Sequence, residues 1–295
     1  MRILVLRALG LGDLLTAVPA LRGLRAMFPR AEITLAAPAW LADAVDRIDA
    51  VDHLLPTEAL APIEFEQPDL AVNLHGKGPQ SVERLLATDP RRLITYGQET
   101  LRWPEEQHEL LRWCNLLERN GIPCDIGDLR LPAVGPRTGR IVIHPGASTE
   151  ARRWPAERYA AVARALGPEV VVTAGPGEYD LARRITPDPV AGTLSELMDL
   201  VATARLVICG DTGIAHVATA YSTPSILLFG PVSPHIWGPL KGPHTVLWHG
   251  DTGDTFAGEP DPGLLRITVA EVLDAVGGVL CKPDGSASSA RATSA

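Results

Sequence analysis

Residues 206–240 read LVICGDTGIAHVATAYSTPSILLFGPVSPHIWGPL. The apolar run Leu206, Val207, Ile208 and Cys209 has the length and composition of a buried strand, and Gly210, Asp211, Thr212 and Gly213 follow at once, which predicts a tight turn and then a helix over 213–220. A strand that feeds a helix in this way delivers the helix's first free amides to the carboxyl edge of a sheet. There the amides and the helix dipole attract an anion. Asp211 or Thr212 is placed to cap the helix, Gly213 lets a ligand approach the backbone, and His216 falls one turn later, on the face directed back to the same mouth. The stretch describes either a diphosphate pocket beside an imidazole or an ordinary capped helix with a packed histidine. The opposite end of the chain favours the first.

The amino terminus repeats the grammar. Residues 2–7 predict a strand, and Gly10, Leu11, Gly12 and Asp13 open a helix over 13–28 in which Leu14, Leu15, Val18, Leu21, Leu24 and Phe28 recur at helical spacing. Pro19 removes one internal hydrogen bond and predicts a kink rather than an end, because the apolar spacing continues past it. Asp13 stands at the helix start, where a carboxylate serves either as N-cap or as a base directed into a second crevice. A nicotinamide dinucleotide suits this turn poorly. Leu15 occupies the place of the fingerprint's third glycine, and the strand at 32–37 runs into Pro38 without an acidic residue for the ribose. An NAD-linked oxidoreductase is therefore the weaker reading, separable by a nicotinamide titration.

At 295 residues the chain has room for two moderate α/β domains, each with a real core, and a hydrophobic content of 46% suits a soluble globular protein. A formal charge of -8 argues against general affinity for nucleic acid. Cys114, Cys124, Cys209 and Cys281 show neither metal-ligand spacing nor a disulfide framework, which suits a reducing cytoplasm. The start lacks the long apolar core and cleavage site of a signal peptide. Residues 216–240 carry no Asp, Glu, Lys or Arg, but Pro224, Pro231, Pro234 and Pro239 divide them into strand and loop, so no transmembrane helix is expected. No Asp-x-Asp pair occurs and the histidines do not cluster, so neither a metal nor any other cofactor is expected.

Apolar strands near 2–7, 32–37, 69–74 and 92–96 alternate with helical stretches near 13–28, 40–48, 79–87 and 105–120, the pattern of a parallel sheet covered on both faces. After a loop rich in proline and glycine the alternation resumes, with strands near 140–144, 169–174, 205–209 and 224–229 and a last helix near 266–280. The expected organisation is α/β: a Rossmann-like N-terminal domain at 1–125, a linker at 126–138, a second Rossmann-like domain at 139–282, and a Ser- and Ala-rich disordered tail at 283–295. Two doubly wound domains with ligand mouths at their strands' carboxyl ends create an interdomain cleft suited to transfer between two ligands.

The motifs RxxGLGD at 7–13, NLHGKGPQS at 73–81, IHPGAS at 143–148 followed by RRWP at 152–155, TAGPGE at 173–178, GDTGIAHVA at 210–218 and FGPVSPHIWGP at 229–239 together resemble the ADP-heptose:lipopolysaccharide heptosyltransferase family, glycosyltransferase family 9, of the GT-B fold. The resemblance spans most of the chain. It implies an inverting, metal-independent glycosyltransferase that moves a heptose from ADP-heptose to an acceptor hydroxyl, with Asp13 as general base. It implies donor contacts from Asp211, Thr212, Gly213 and His216. Arg152 stands where members often have lysine and would neutralise the leaving diphosphate; without the resemblance, Arg152 and Arg153 read as a solvated loop. Ser148 either donates to a phosphate or turns the chain, and Glu178 either binds the nucleoside ribose or sits in a helix's first turn. Gly12, His75 and Lys77 are placed at the acceptor side, where a polar loop is the plainer reading of His75 and Lys77.

Residues 1–125 hold more Asp and Glu than Lys and Arg, and long-range steering by such a domain repels an anionic lipid surface. The expected acceptor is therefore either a lipopolysaccharide core or a small natural-product sugar or aminocyclitol. A degenerate family member that binds nucleotide-sugars without turnover is the competing reading, against which the retained Asp13 argues. The nucleotide base and the oligomeric state are not legible in these residues.

Overall fold

The structure, a computed structural model, describes residues 1–97 and 101–281. The predicted tail at 283–295 and the final residue of the predicted second domain lie outside the described residues.

Among the described residues, β1 (Arg2–Leu6), β2 (Glu32–Ala37), β3 (His53–Pro56), β4 (Leu70–Asn73) and β5 (Leu93–Ile94) form one sheet in the order β3-β2-β1-β4-β5. A second sheet holds β6 (Ile141–His144), β7 (Val170–Ala174), β8 (Val190–Ala191), β9 (Leu206–Gly210), β10 (Ser225–Leu228) and β11 (His244–Leu247) in the order β11-β10-β9-β6-β7-β8. Every pairing is parallel, with Ile3 opposite Ile33 and Leu70 in the first sheet and Val142 opposite Val171 and Val207 in the second. Each sheet is laid outward from its first strand and then reverses to that strand's other side. These are two Rossmann-like units, as the alternation predicted. The reversal leaves a crevice outside the carboxyl ends of β1 and β4 in one unit and of β6 and β9 in the other.

The helices of the first half are α1 (Leu11–Thr16), α2 (Val18–Met27), α3 (Ala42–Val45), α4 (Gln80–Leu86) and α5 (Glu109–Glu118). The second half carries α6 (Ala156–Leu166), α7 (Tyr179–Arg183), α8 (Leu194–Thr203), α9 (Gly213–Ala220), α10 (Pro234–Trp237), α11 (Pro262–Arg266) and α12 (Val269–Leu280). The expected kinked helix at 13–28 is instead two helices. Continuing through Pro19 would drive its ring against the carbonyl of Leu15, so the chain breaks at Ala17 and restarts with Pro19 in the first turn of α2, where its missing N–H costs nothing. The helix expected from 105 starts only at Glu109, because the His108 side chain caps it by accepting from the Leu110 N–H at 3.2 Å. Strands β3, β8 and β11 escaped the sequence reading. All three are short edge strands without a fully buried residue, so no continuous apolar run marks them.

Side chains alternate across β1. Ile3 and Val5 join a core that continues through Leu14, Val18 and Trp113 to Val201, Val207 and Val217, while Leu4 and Leu6 pack outward with Ala36 and Leu85. The two halves therefore share one apolar body where α1 meets α9. A polar tie adds to it at the seam of α3 and α8: Arg47 donates to Ser195 Oγ at 2.6 Å and Tyr221 Oη at 2.9 Å and pairs with Asp199, and Asp43 accepts from the Ser195 N–H. Among the described residues no helix is long and apolar enough to cross a membrane.

Candidate active site

The wall built by the first half starts at Arg7, just past β1. Its side chain is fully buried, with Nε donating to the Asp13 carbonyl at 2.9 Å and Nη2 to Thr16 Oγ1 at 3.2 Å, so it clasps the first turn of α1. Gly10 is the N-cap of α1, not Asp13. Asp13 is the third helical residue, and its Oδ2 reaches back to accept the Gly10 N–H at 3.2 Å while Oδ1 lies 3.4 Å from Arg7 Nη2. Both carboxylate oxygens are thereby oriented. Gly12 lies under His216 of the second half: a Cβ on Gly12 would sit 2.7 Å from His216 Cδ2, so only glycine permits this approach of α1 to α9.

The opposite wall follows β9. Thr212 occupies the N-cap of α9 without a side-chain capping bond, and Asp211 beside it is buried. Asp211 Oδ2 lies 3.3 Å from Arg152 Nη1, yet Oδ2 and Arg152 Nε are both buried without a hydrogen-bond partner. Buried polar atoms are ordinarily satisfied, so these two retain hydrogen-bonding capacity for a water or a ligand. Burial pushes the Asp211 carboxyl up, against the pull of Arg152 and with a further push from the Asp13 charge. Burial likewise brings the His216 imidazole down to about 4, helped by His108, Arg7 and Arg152 and opposed by Glu109. The ring is therefore neutral near pH 7, and it packs edge-on against Trp237 at 6.0 Å. Arg153, by contrast, braces its own loop by donating to the Ala147 carbonyl.

A third group comes from the loops after β6 and β7. Glu178 precedes α7 and accepts the Gly175 N–H at 2.9 Å, and a Cβ on Gly146 would fall 2.0 Å from its Oε2, so the glycine makes room for the carboxylate to cross. Desolvation pushes Glu178 up. His144, buried and brought down to about 4 by desolvation, shares a hydrogen bond with Thr173 Oγ1 at 3.0 Å and stands 3.5 Å from Glu178 Oε2. That separation is too long for a charge-assisted bond, and a neutral imidazole does not supply one.

These walls enclose one cavity of about 570 Å³. Gly12 and Asp13 line it from the first half; Ser148, Arg152, Glu178, Asp211, Thr212, Gly213 and His216 line it from the second. His75 and Lys77 are not in the lining. His75 lies half-buried beside it, its imidazole brought down by burial and by Arg7 against the pull of Asp13, with Nδ1 unpartnered, whereas Lys77 pairs with Glu105 at 3.0 Å on the surface. The lining also holds Trp40, His144, Leu194, Leu197, Trp237 and Phe256, to which the sequence reading assigned no role. Trp40 just beyond β2 was open to discovery, because it sits at a strand's carboxyl end; Phe256, 84% exposed in a long loop, carries no such signal. Beside the cavity an apolar extension of about 650 Å³ runs between Trp40, Pro176, Leu194 and Leu197. Among the described residues no group of three His, Cys, Asp or Glu side chains is arranged to hold a metal ion.

The family model described as glycosyltransferase family 9 (heptosyltransferase) matches residues 129–257. Lipopolysaccharide heptosyltransferase 2 of Salmonella typhimurium is 25% identical over 93% of this chain and 97% of that protein. Two solved structures superpose over 95% of the chain: a glycosyl transferase family 9 protein from Veillonella parvula, with a TM-score of 0.77 at 20% identity and 97% of its length covered, and the ADP-heptose lps heptosyltransferase II of E. coli, with 0.76 at 22% and 98%. Two Rossmann-like halves that face a shared cleft are the GT-B architecture, which the chain has in common with these solved structures. Over residues 129–257 the chain is similar to glycosyltransferase family 9, and over nearly its whole length to a lipopolysaccharide heptosyltransferase.

Proposed function

We propose that the protein transfers a heptose from ADP-heptose to an acceptor hydroxyl with inversion, Asp13 acting as general base. The observation that carries this reading is that Asp13 and the turn at the head of α9 line the same cavity from opposite halves. Asp13 takes the hydroxyl proton as the acceptor oxygen bonds to the anomeric carbon. The bond from that carbon to the diphosphate oxygen breaks on the other face, and ADP leaves with the electron pair. Arg152, the amide end of α9 and the hydroxyls of Ser148 and Thr212 receive the growing charge, which the neutral His216 contacts as a hydrogen-bonding group rather than a cation. Since the chain's own groups supply this neutralisation, transfer is expected to be unchanged by a chelator. Glu178 suits the ribose hydroxyls, and the apolar extension past Trp40 suits a planar base.

His75 lies on the acceptor side by virtue of its nearness to Asp13, with Lys77 further out on the same loop. The names of the relatives favour a lipopolysaccharide core as acceptor and hence a cytoplasmic enzyme at the membrane face, while the acidic composition of residues 1–125 favours a small neutral or cationic sugar. Transfer assays with both acceptor classes separate them. Replacing Asp13 by Ala should lower turnover by about 10²- to 10⁴-fold with ADP affinity nearly intact; undiminished turnover removes the base assignment, and nucleotide binding without turnover in the parent protein favours a binding role.

A further inference from the structure

Asp13 is not the sole claimant on Arg7. Arg7 Nη2 has two hydrogens and faces three acceptors: Glu109 Oε1 at 3.1 Å, Thr16 Oγ1 at 3.2 Å and Asp13 Oδ1 at 3.4 Å. Glu109 is itself tied down, its Oε1 accepting from Trp113 Nε1 at 2.9 Å and its Oε2 pairing with Arg112. The two guanidinium groups lie over indole faces, Arg7 at 4.8 Å from the Trp113 ring and Arg112 at 4.4 Å from Trp103. Side-chain exposure is 0% for Arg7, 4% for Glu109 and 5% for Arg112, against 28% for Asp13. The result is a closed set of two cations and two carboxylates in which one member, Asp13, opens to the cavity.

We propose that Glu109 is a positioning residue that divides the attention of Arg7, so that Asp13 is oriented by the guanidinium without being locked into a full ion pair. This rests on the base reading of Asp13. In a dry setting an undivided Arg7 would hold the Asp13 carboxylate in its charged form and make it a poor proton acceptor. Glu109 takes the shorter contact, leaving Asp13 the longer one. The other groups whose charge or dipole reaches this site are the Gly10 amide at the cap of α1, His75 after β4, His108 at the cap of α5, Arg152 after β6, and Asp211 and His216 at the head of α9. Of these, His108 and His216 also feel the Glu109 charge, which raises both; removing it only pushes these already lowered imidazoles further from protonation, so neither gains a charge and the comparison still isolates the divided guanidinium.

The test is the pH profile of kcat/KM for transfer. Glu109→Gln keeps the shape and one acceptor oxygen but removes the charge; its acid limb should move to lower pH by about one unit, with plateau activity falling by up to about tenfold and ADP affinity unchanged. Arg112→Gln removes the competing cation on Glu109 and should move the limb the other way. A tie that merely holds α5 to β1 would lower the melting temperature of either variant and leave the limb where it is. An unmoved limb in a folded Glu109→Gln protein that binds ADP normally overturns the proposal, as does a shift of the same sign in both variants. An Asp13→Asn control keeps the two readings apart: retained transfer defeats the base assignment, whereas an inactive Asp13→Asn beside an unmoved Glu109→Gln limb defeats only the role of Glu109.

Discussion

Replacing Arg152 by Met tests the division of labour across the cleft most directly. The guanidinium stands 3.3 Å from Asp211 Oδ2, whose side chain is only 7% exposed, and its Nε has no partner within the protein. Its removal has two consequences of different size. An ionised Asp211 left alone would cost about 3–5 kcal/mol, but burial already pushes this carboxyl up, so it takes a proton and most of that cost is avoided. The leaving diphosphate has no such escape, because its negative charge grows in the transition state. Losing one preorganised positive partner at such a centre costs about 2.7–4 kcal/mol, or roughly 10²- to 10³-fold in kcat. Arg152→Lys keeps the charge but loses the planar fork and should fall between, near tenfold. Initial rates at saturating acceptor, with ADP titration calorimetry, give kcat, donor KM and nucleotide affinity separately. If Arg152→Met keeps kcat within about threefold of the parent, the guanidinium does not meet the leaving group and the assignment of this wall is wrong.

Gly12→Ala places a methyl 2.7 Å from His216 Cδ2. Overpacking of this kind costs about 1–3 kcal/mol, so the melting temperature should fall and the donor KM rise as His216 is displaced; a variant that matches the parent in both would show that α1 and α9 do not meet at this spacing. His144 gives a pH signature. Its folded value of about 4 lies below the ordinary 6.5, so the unfolded chain binds the proton more tightly, and the stability associated with the neutral ring is full above pH 6.5 and lost as the pH falls toward 4. Between pH 7 and pH 5 this amounts to about 2 kcal/mol. Denaturant unfolding at the two pH values should show that much less acid sensitivity in His144→Asn than in the parent, and equal sensitivity would contradict the buried neutral ring.

The glycine turns were readable because they are local. A strand that ends in Gly210-Asp211-Thr212-Gly213, or in Gly10-Leu11-Gly12-Asp13, carries its turn, its helix start and its polar residues within one short window, and hydrophobic alternation assigns both windows to parallel sheets. What failed was equally physical. Edge strands such as β11 bury no residue fully, and the break at Ala17 depends on the ring of Pro19 meeting a carbonyl one turn back.

The order of residues by itself therefore determined two doubly wound halves and the chemical character of each mouth. Only the tertiary structure decided that the mouths face one another, because that depends on α1 and α9 approaching through Gly12 and on an apolar body shared by both halves. It also decided that Arg7 and Glu109, 102 positions apart, meet beneath Asp13. Periodicity reports which face of an element is buried, whereas the partner on that face is chosen by close packing of the whole chain.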